Sequence, residues 1–312
     1  MTSMKAIAQD ELGGPEVLRV VEVERPEPGP VEILVRVRAA GVNPADWKAR
    51  ATGGRFGGSL PILGFDVSGV VEEVGPGVTL YEPGDEVFGM PRFPHPAGAY
   101  AEYVTAPPRH FARKPASIDH VRAAAIPLVA LTAWQGLVDT AGLRAGQRVL
   151  IHAAAGGVGH VAVQIAKARG AHVIGTASAP KHALVRALGA DEVIDYRNVD
   201  FDEVVRDVDI VLDTVGGDYG RRSLRTLRDG GTLVSIVPPV TGELRAEASK
   251  RGIATGWTLV EPDYAALGEI VALVESGRLH AEIDTVFPLE EAAKAHALGE
   301  TGRTTGKIVL TV

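Results

Sequence analysis

The spacing of apolar and polar residues changes character twice along the chain. From Lys5 to about Thr105 it is that of short strands separated by turn clusters, at Gly13-Gly14-Pro15, Pro26 to Pro30, Gly75-Pro76-Gly77 and Pro83-Gly84-Asp85. The clearest strand, Glu32 to Ala40, points Ile33, Val35 and Val37 one way and Arg36 and Arg38 the other, as a half-buried antiparallel strand does. Helical periodicity is nearly absent there, and the stretch predicts a small, partly closed β-barrel. Between Ile118 and Leu143 the pattern turns helical, with Asp119 placed to cap the helix that leads into VRAAAIPLVALTAWQGL.

The middle of the chain is organised around Arg148 to Ser178, which reads as strand, glycine turn, helix and second strand. Val149, Leu150 and Ile151 make the short apolar run of a parallel strand buried on both faces. Val158, Val161, Ile165 and Ala168 then recur at helical spacing, Lys167 and Arg169 suit the negative end of the helix dipole, and Gly170 caps it. A second strand spans His172 to Thr176. Three further apolar runs follow, Glu192 to Ile194, Asp209 to Asp213 and Thr232 to Val237, and a sixth candidate strand is Thr255 to Val260. A helix from Tyr264 to Ser276, a short helix from Glu290 to Leu298 and a last strand, Lys307 to Val312, complete the chain. This alternation predicts an α/β fold with a doubly wound parallel sheet.

The turn inside the central unit has the residues of an anion site. Gly156 lets backbone approach a pyrophosphate, Gly159 lets the helix pack close to the strand, and the free N–H groups of the first helical turn, from Gly157 and Val158 onward, face the anion. Ala154 stands where the G-x-G-x-x-G fingerprint has its first Gly. A tight turn that binds nothing is the alternative.

Composition narrows the function classes. The 312 residues are 46% hydrophobic and 23% charged, which fits a soluble protein of about two domains. A net charge of -7 argues against nucleic acid or an anionic membrane as partner. With no cysteine there is no disulfide, thiolate nucleophile or cysteine-ligated metal. No apolar run reaches membrane-spanning length, and Asp10 and Glu11 interrupt the N-terminal stretch, so the expected location is cytoplasmic.

AAGVNPADWK at 39–48, GFDVSGVVEEVGPGV at 64–78, GDEVFG at 84–89, GAYAEYV at 98–104 and ALTAWQGL at 130–137 resemble medium-chain dehydrogenase/reductases, as do AAAGGVGHVAVQIAKARGA and LGADEVIDY. The resemblance covers essentially the whole chain and is closest to the zinc-independent quinone oxidoreductase branch. It implies a GroES-like β-barrel catalytic domain at 1–122 and 261–312, with a Rossmann NADP-binding domain inserted at 123–260. It also implies nicotinamide in the cleft between domains, with Asn43 and Thr132 near its ring, and adds Trp257, Leu259 and Lys307 to the cofactor contacts. Thr255 to Val260 becomes a sheet-edge strand pairing with its two-fold mate in a homodimer.

Without cysteine only His and carboxylate ligands remain, and no two histidines sit at a helical i, i+4 or other recognised ligand spacing. By resemblance, zinc-dependent relatives have a ligand Cys where this chain has Asn43, and Gly-His-Glu where it has Gly64-Phe65-Asp66. No metal is therefore expected. Without zinc to polarise an alcohol, reduction of an already polarised acceptor is the natural chemistry.

NAD-binding relatives carry an acidic residue after the second strand for the ribose 2′-hydroxyl, and none occurs between His160 and Ala190. Ser178 and Lys181 stand there instead, a hydroxyl and a cation suited to a 2′-phosphate, and Tyr196 is spaced like the tyrosine that NADPH-linked relatives place beside it. The expected cofactor is NADP(H). A helix N-cap is the other reading of Ser178, and both roles can hold together. A solvated Lys181 and a packed Tyr196 form the other reading.

The quinone reductases often have a tyrosine shortly after the Asn, and here that position is Lys48. Asn43 and Lys48 are expected in one loop. Two roles stay open for Lys48: a cation or proton donor held by Asp46 and stabilising an oxyanion, or an Asp46–Lys48 contact at the cleft rim. Trp47 reads as packing and the nine histidines as mostly surface residues. The expected partner is a small quinone or α,β-unsaturated carbonyl. An enoyl reductase for thioester or polyketide intermediates, and a non-catalytic NADPH-binding sensor or structural protein, are the alternatives.

Overall fold

Two units divide the chain in the computed structural model, Met1–Leu131 with Glu261–Val312, and Thr132–Val260. The structure describes residues 2–53, 62–237 and 240–312.

The first unit begins with the antiparallel pair β1 (Ser3–Ala8) and β2 (Arg19–Glu24). The long strand β3 (Ile33–Val42) leads directly into helix α1 (Pro44–Thr52). Strands β4 (Asp66–Val74), β5 (Glu86–Gly89), β6 (Tyr103–Ala106) and β7 (Phe111–Arg113) follow, then helices α2 (His120–Ala124) and α3 (Pro127–Trp134). Asp119 caps α2 by accepting from the Arg122 N–H, as its sequence position implied. The expected junction at 122/123 moves to 131/132, because α2 packs on β3 and β4 and the Leu128 N–H donates to Asp66 on β4.

The second unit opens on a π-helical turn, Gln135–Thr140, and continues β8 (Arg148–Ile151), α4 (Gly157–Ala168), β9 (His172–Ala177), α5 (His182–Ala187), β10 (Glu192–Asp195), α6 (Phe201–Val204), β11 (Val208–Asp213), α7 (Tyr219–Leu224), β12 (Leu227–Ser235), α8 (Gly242–Ser249) and β13 (Ala254–Trp257). Its six strands are all parallel, in the order β10-β9-β8-β11-β12-β13. That is the doubly wound Rossmann order, which puts the reversal between β8 and β11. Leu150, Ile174, Val211 and Leu233 are buried in its core. β12 starts earlier than the expected Thr232, and β13 ends at Trp257, so Leu259 lies beyond the edge strand.

The chain then returns to the first unit with α9 (Tyr264–Glu275), β14 (Ile283–Pro288), α10 (Ala292–Glu300) and β15 (Lys307–Thr311). β15 inserts beside β3, antiparallel, with Val309 opposite Gly41, and the sheet runs β14-β15-β3-β4-β5-β7 while β6 also pairs with β3. Val309 and Leu310 are fully buried there, and burying side chains of this size stabilises by roughly 1.5–3 kcal/mol each. The sequence reading missed β14, and it placed Asn43 and Lys48 in one loop where Asn43 instead caps a helix that carries Lys48. Pro44 fits the first turn of α1, where its missing N–H would have no partner.

Candidate functional site

In the first unit, the end of β3, the start of α1, β4 and β15 bring together a fully buried polar cluster. Asn43 is the N-cap of α1, but its carboxamide faces the sheet: Nδ2 donates to Asp66 Oδ2 at 2.8 Å, and Oδ1 accepts from Lys307 Nζ. A cation on the oxygen and a carboxylate on the nitrogen fix which way the amide points. Lys307 Nζ also donates to the Val42 carbonyl at 2.9 Å and reaches Asp66 Oδ2 at 3.4 Å. Asp66 Oδ1 in turn accepts from the Leu128 N–H at 2.7 Å. Burial pushes the Asp66 carboxyl up and the Lys307 ammonium down, and their mutual attraction opposes both shifts. Gly41 is required beside them, since a Cβ there would lie 2.4 Å from the Ala124 carbonyl oxygen and 2.8 Å from Asp66 Oδ2.

Asp46 lies in the same cluster, and its surroundings correct the expected pairing with Lys48. It is fully buried: Oδ2 accepts from the Asn43 N–H at 2.7 Å and Oδ1 from the Gly64 N–H at 3.1 Å. Lys48 is exposed, and residues two apart on a helix do not face each other, so Asp46 does not hold it. Burial pushes the Asp46 carboxyl up to about 7, against the backbone N–H groups that favour its charged form. Behind it, Tyr100 Oη lies 3.2 Å from His296 Nε2, and Arg50 donates to His296 Nδ1 at 3.2 Å. Arg50 ends on Glu300 at 2.6 Å. Because Arg50 has only donors, His296 Nδ1 accepts, Nε2 carries the proton, and the chain of bonds has one direction. Trp47 packs beside His296, with ring centroids 6.3 Å apart, in agreement with its reading as packing.

In the second unit, β8 delivers the glycine turn to α4. Gly156 is the N-cap and no side chain caps the helix, so the N–H groups of Gly157, Val158 and Gly159 are without partners within it. A Cβ on Gly159 would lie 2.2 Å from the Ala153 carbonyl oxygen, which is why that position is glycine. Ser178 and Tyr196 directly follow β9 and β10, whose parallel register sets Ala177 beside Asp195. Ser178 is buried, Lys181 half-buried and Tyr196 41% exposed. The register thus sets Tyr196 beside Ser178, eighteen positions earlier in the chain. Arg197, which the sequence reading passed over, lies 5.9 Å from the Tyr196 ring centre and adds a second cation, itself exposed, at this edge. Thr132 is buried on α3, and Trp257 ends β13.

Sequence reasoning missed Asp66, Tyr100 and His296. The signal for Asp66 was a charged residue at the head of an apolar strand; for the last two only the tertiary fold brings them near Asn43. Six of the nine histidines are at least partly exposed, in line with their reading as mostly surface residues, while His152, His160 and His296 are fully buried.

An alcohol dehydrogenase GroES-like domain model matches residues 29–116, and a zinc-binding dehydrogenase model matches residues 188–310. The mitochondrial NAD(P)H oxidoreductase RTN4IP1 of Mus musculus is 34% identical over 100% of this chain and 90% of its own length. Among solved structures, the quinone oxidoreductase of Coxiella burnetii superposes with a TM-score of 0.93 at 39% identity, covering 100% of both chains. The Escherichia coli quinone oxidoreductase complexed with NADPH superposes at 0.89 with 32% identity, over 99% of this chain and 100% of that one.

Fold and site together are those of an NAD(P)H oxidoreductase, with NADP(H) as cofactor. The chain belongs to the medium-chain dehydrogenase/reductase superfamily, in its quinone oxidoreductase branch. The uncapped helix start and the hydroxyl and cations at the β9–β10 edge fit the phosphates of that cofactor. The zinc in the description of one family model does not fit: the chain has no cysteine, Asp66 is committed to Lys307 and Asn43, and no group of three or more histidines or carboxylates among the described residues is arranged to hold a metal ion. No helix of the described residues is long and apolar enough to cross a membrane.

Proposed function

We propose that this protein is a zinc-independent reductase that uses NADPH to deliver hydride to a quinone or an α,β-unsaturated carbonyl. The observation that carries the reading is the Asn43 carboxamide, clamped between Lys307 and Asp66. NADPH supplies the hydride. Asn43 has no exposed surface, so in this reading it helps orient nicotinamide and acceptor through the end of β3 and the start of α1, which its clamped amide fixes. Lys307 is a positioning residue that acts through Asn43. Lys48 enters this reading as an exposed cation on α1 that solvent protons reach, not as a group preorganised by Asp46.

The N–H groups from Gly157 to Gly159 hold the pyrophosphate, with Gly156 admitting it close to the backbone. Ser178, Lys181 and Tyr196, joined by Arg197, hold the 2′-phosphate and select NADPH over NADH. Thr132, Trp257 and Leu259 are further cofactor contacts in this reading, the first beside the nicotinamide. The edge position of β13 supports a homodimer paired through that strand. A cytoplasmic location belongs to the same reading, although the mouse relative is by its name mitochondrial.

Loss of NADPH absorbance with a quinone, an enone and an enoyl thioester tests the function. Turnover with the quinone or the enone is the expected result. Turnover with the thioester alone makes the protein an enoyl reductase, and NADPH binding without turnover of any acceptor makes it a non-catalytic binder.

A further inference from the structure

His152 is the residue directly after β8, at the mouth of the glycine turn, and it is fully buried. Its ring lies edge-on to Phe201 and Tyr219, with centroids 4.6 and 5.0 Å away. Both ring nitrogens have partners: Nδ1 is 3.2 Å from Thr176 Oγ1 on β9, and Nε2 is 2.9 Å from Ser223 Oγ on α7. Thr176 Oγ1 also accepts from the Ala153 N–H at 3.1 Å, and the Thr176 carbonyl accepts from the Ala154 N–H at 2.9 Å. Ala153 has φ +46, a left-handed conformation unusual for a residue with a Cβ. That conformation lets the Ala153 carbonyl accept from the Gly156 N–H at 2.8 Å and closes the turn into α4.

We propose that His152 is a positioning residue for the dinucleotide: it holds the Thr176 hydroxyl, and through it the strained Ala153, so that the turn and the first N–H groups of α4 are fixed before the pyrophosphate arrives. The inference rests on the reading that this turn takes the cofactor pyrophosphate. The backbone of His152 is pinned as well, its N–H donating to Leu212 at 3.1 Å and its carbonyl accepting from Thr214 Oγ1 at 2.7 Å, so the ring has little freedom to turn away. Burial, with the Arg222 guanidinium near, pushes the imidazole down to about 3, and it stays neutral with one donor and one acceptor nitrogen across the working pH range. A strained residue persists only where its surroundings over-determine it, and Thr176 and His152 supply that determination.

The test is a double-variant cycle on His152→Leu and Thr176→Val, read by NADPH titration and by turnover at saturating NADPH. Each single variant is expected to weaken NADPH about tenfold, with turnover at saturation kept within about twofold. The double variant should bind no more weakly than the weaker single, because both remove the same support. His152→Gln, which retains a donor and an acceptor, should recover most of the affinity. Unchanged NADPH affinity in His152→Leu, or losses that multiply in the double variant, overturns the proposal. If His152→Leu does not fold, His152→Gln and Thr176→Val decide: the proposal requires near-normal binding in the first and weakened binding in the second, and any other pattern overturns it. Failure of the unmutated chain to bind NADPH removes the cofactor reading beneath it, an outcome seen before any variant is made.

Discussion

Lys307 on the last strand donates to the carboxamide oxygen of Asn43, 264 positions earlier in the chain. The bond joins the returning C-terminal segment to the start of α1 and leaves the Asp66 carboxylate with a cation in a site closed to water. Removing one partner of such a buried pair strands the other charge. Lys307→Met is therefore expected to lower unfolding free energy by about 3–5 kcal/mol in denaturant titration. A loss under about 1 kcal/mol, the size of a surface contact, would show that Asp66 does not depend on this cation.

The proposed preference for NADPH rests on the β9–β10 edge. Lys181→Ala and Arg197→Ala should each weaken NADPH by about tenfold, the worth of one charge-assisted hydrogen bond, while NADH affinity hardly changes. Fluorescence titration of both cofactors checks this. Equal affinity of the unmutated chain for NADH and NADPH sinks the assignment of the edge to a 2′-phosphate.

Lys48 separates two accounts of the chemical step. An exposed helix lysine not held by Asp46 has no fixed aim, so Lys48→Ala is expected to change turnover of an enone by no more than about threefold and stability by under about 0.5 kcal/mol. A hundredfold fall, about 2.7 kcal/mol, would mean that the lysine is organised at the reacting oxyanion.

Asp46 gives the protein a pH signature. With its carboxyl pushed up to about 7 from the ordinary 3.8, the folded chain holds a proton that the unfolded chain has released. Its contribution is fully present below about pH 4 and is lost as pH rises through about 7, up to about 4 kcal/mol in all. Asp46→Asn removes that slope. His152 and His296, both held near 3, act with the opposite sign, stability being lost as pH falls from 6.5, and they do so in both proteins. In denaturant titrations from pH 4 to 8 the unmutated protein should lose up to about 4 kcal/mol relative to Asp46→Asn as pH rises; parallel curves would mean that Asp46 is ionised throughout.

What the sequence made legible was local. The turn from Ile151 to Gly159 could be read because strand, glycines and helix are contiguous and each residue type has a backbone reason to be there. Ser178 and Tyr196 were picked out one at a time, and the strand register that sets them side by side came from the fold. Helix α1 was missed because nine residues opened by Pro44 and carrying Trp47 and Lys48 show little amphipathic period. The cluster of Asn43, Asp66 and Lys307 was illegible as a cluster, since only the insertion of β15 beside β3 brings its members within bonding distance. The buried histidines follow the same rule: nothing adjacent to His296 in the chain foretells Arg50 and Tyr100 on its two nitrogens.

The proposed reaction is direct hydride transfer from NADPH to a polarised acceptor without a metal. It is tested most directly by giving the protein NADPH carrying deuterium at the transferable position, a simple enone and a strong chelator, and weighing the product. The expected product is the saturated ketone with one deuterium on the β-carbon, formed at an undiminished rate. Product without deuterium, or reduction abolished by the chelator, contradicts it.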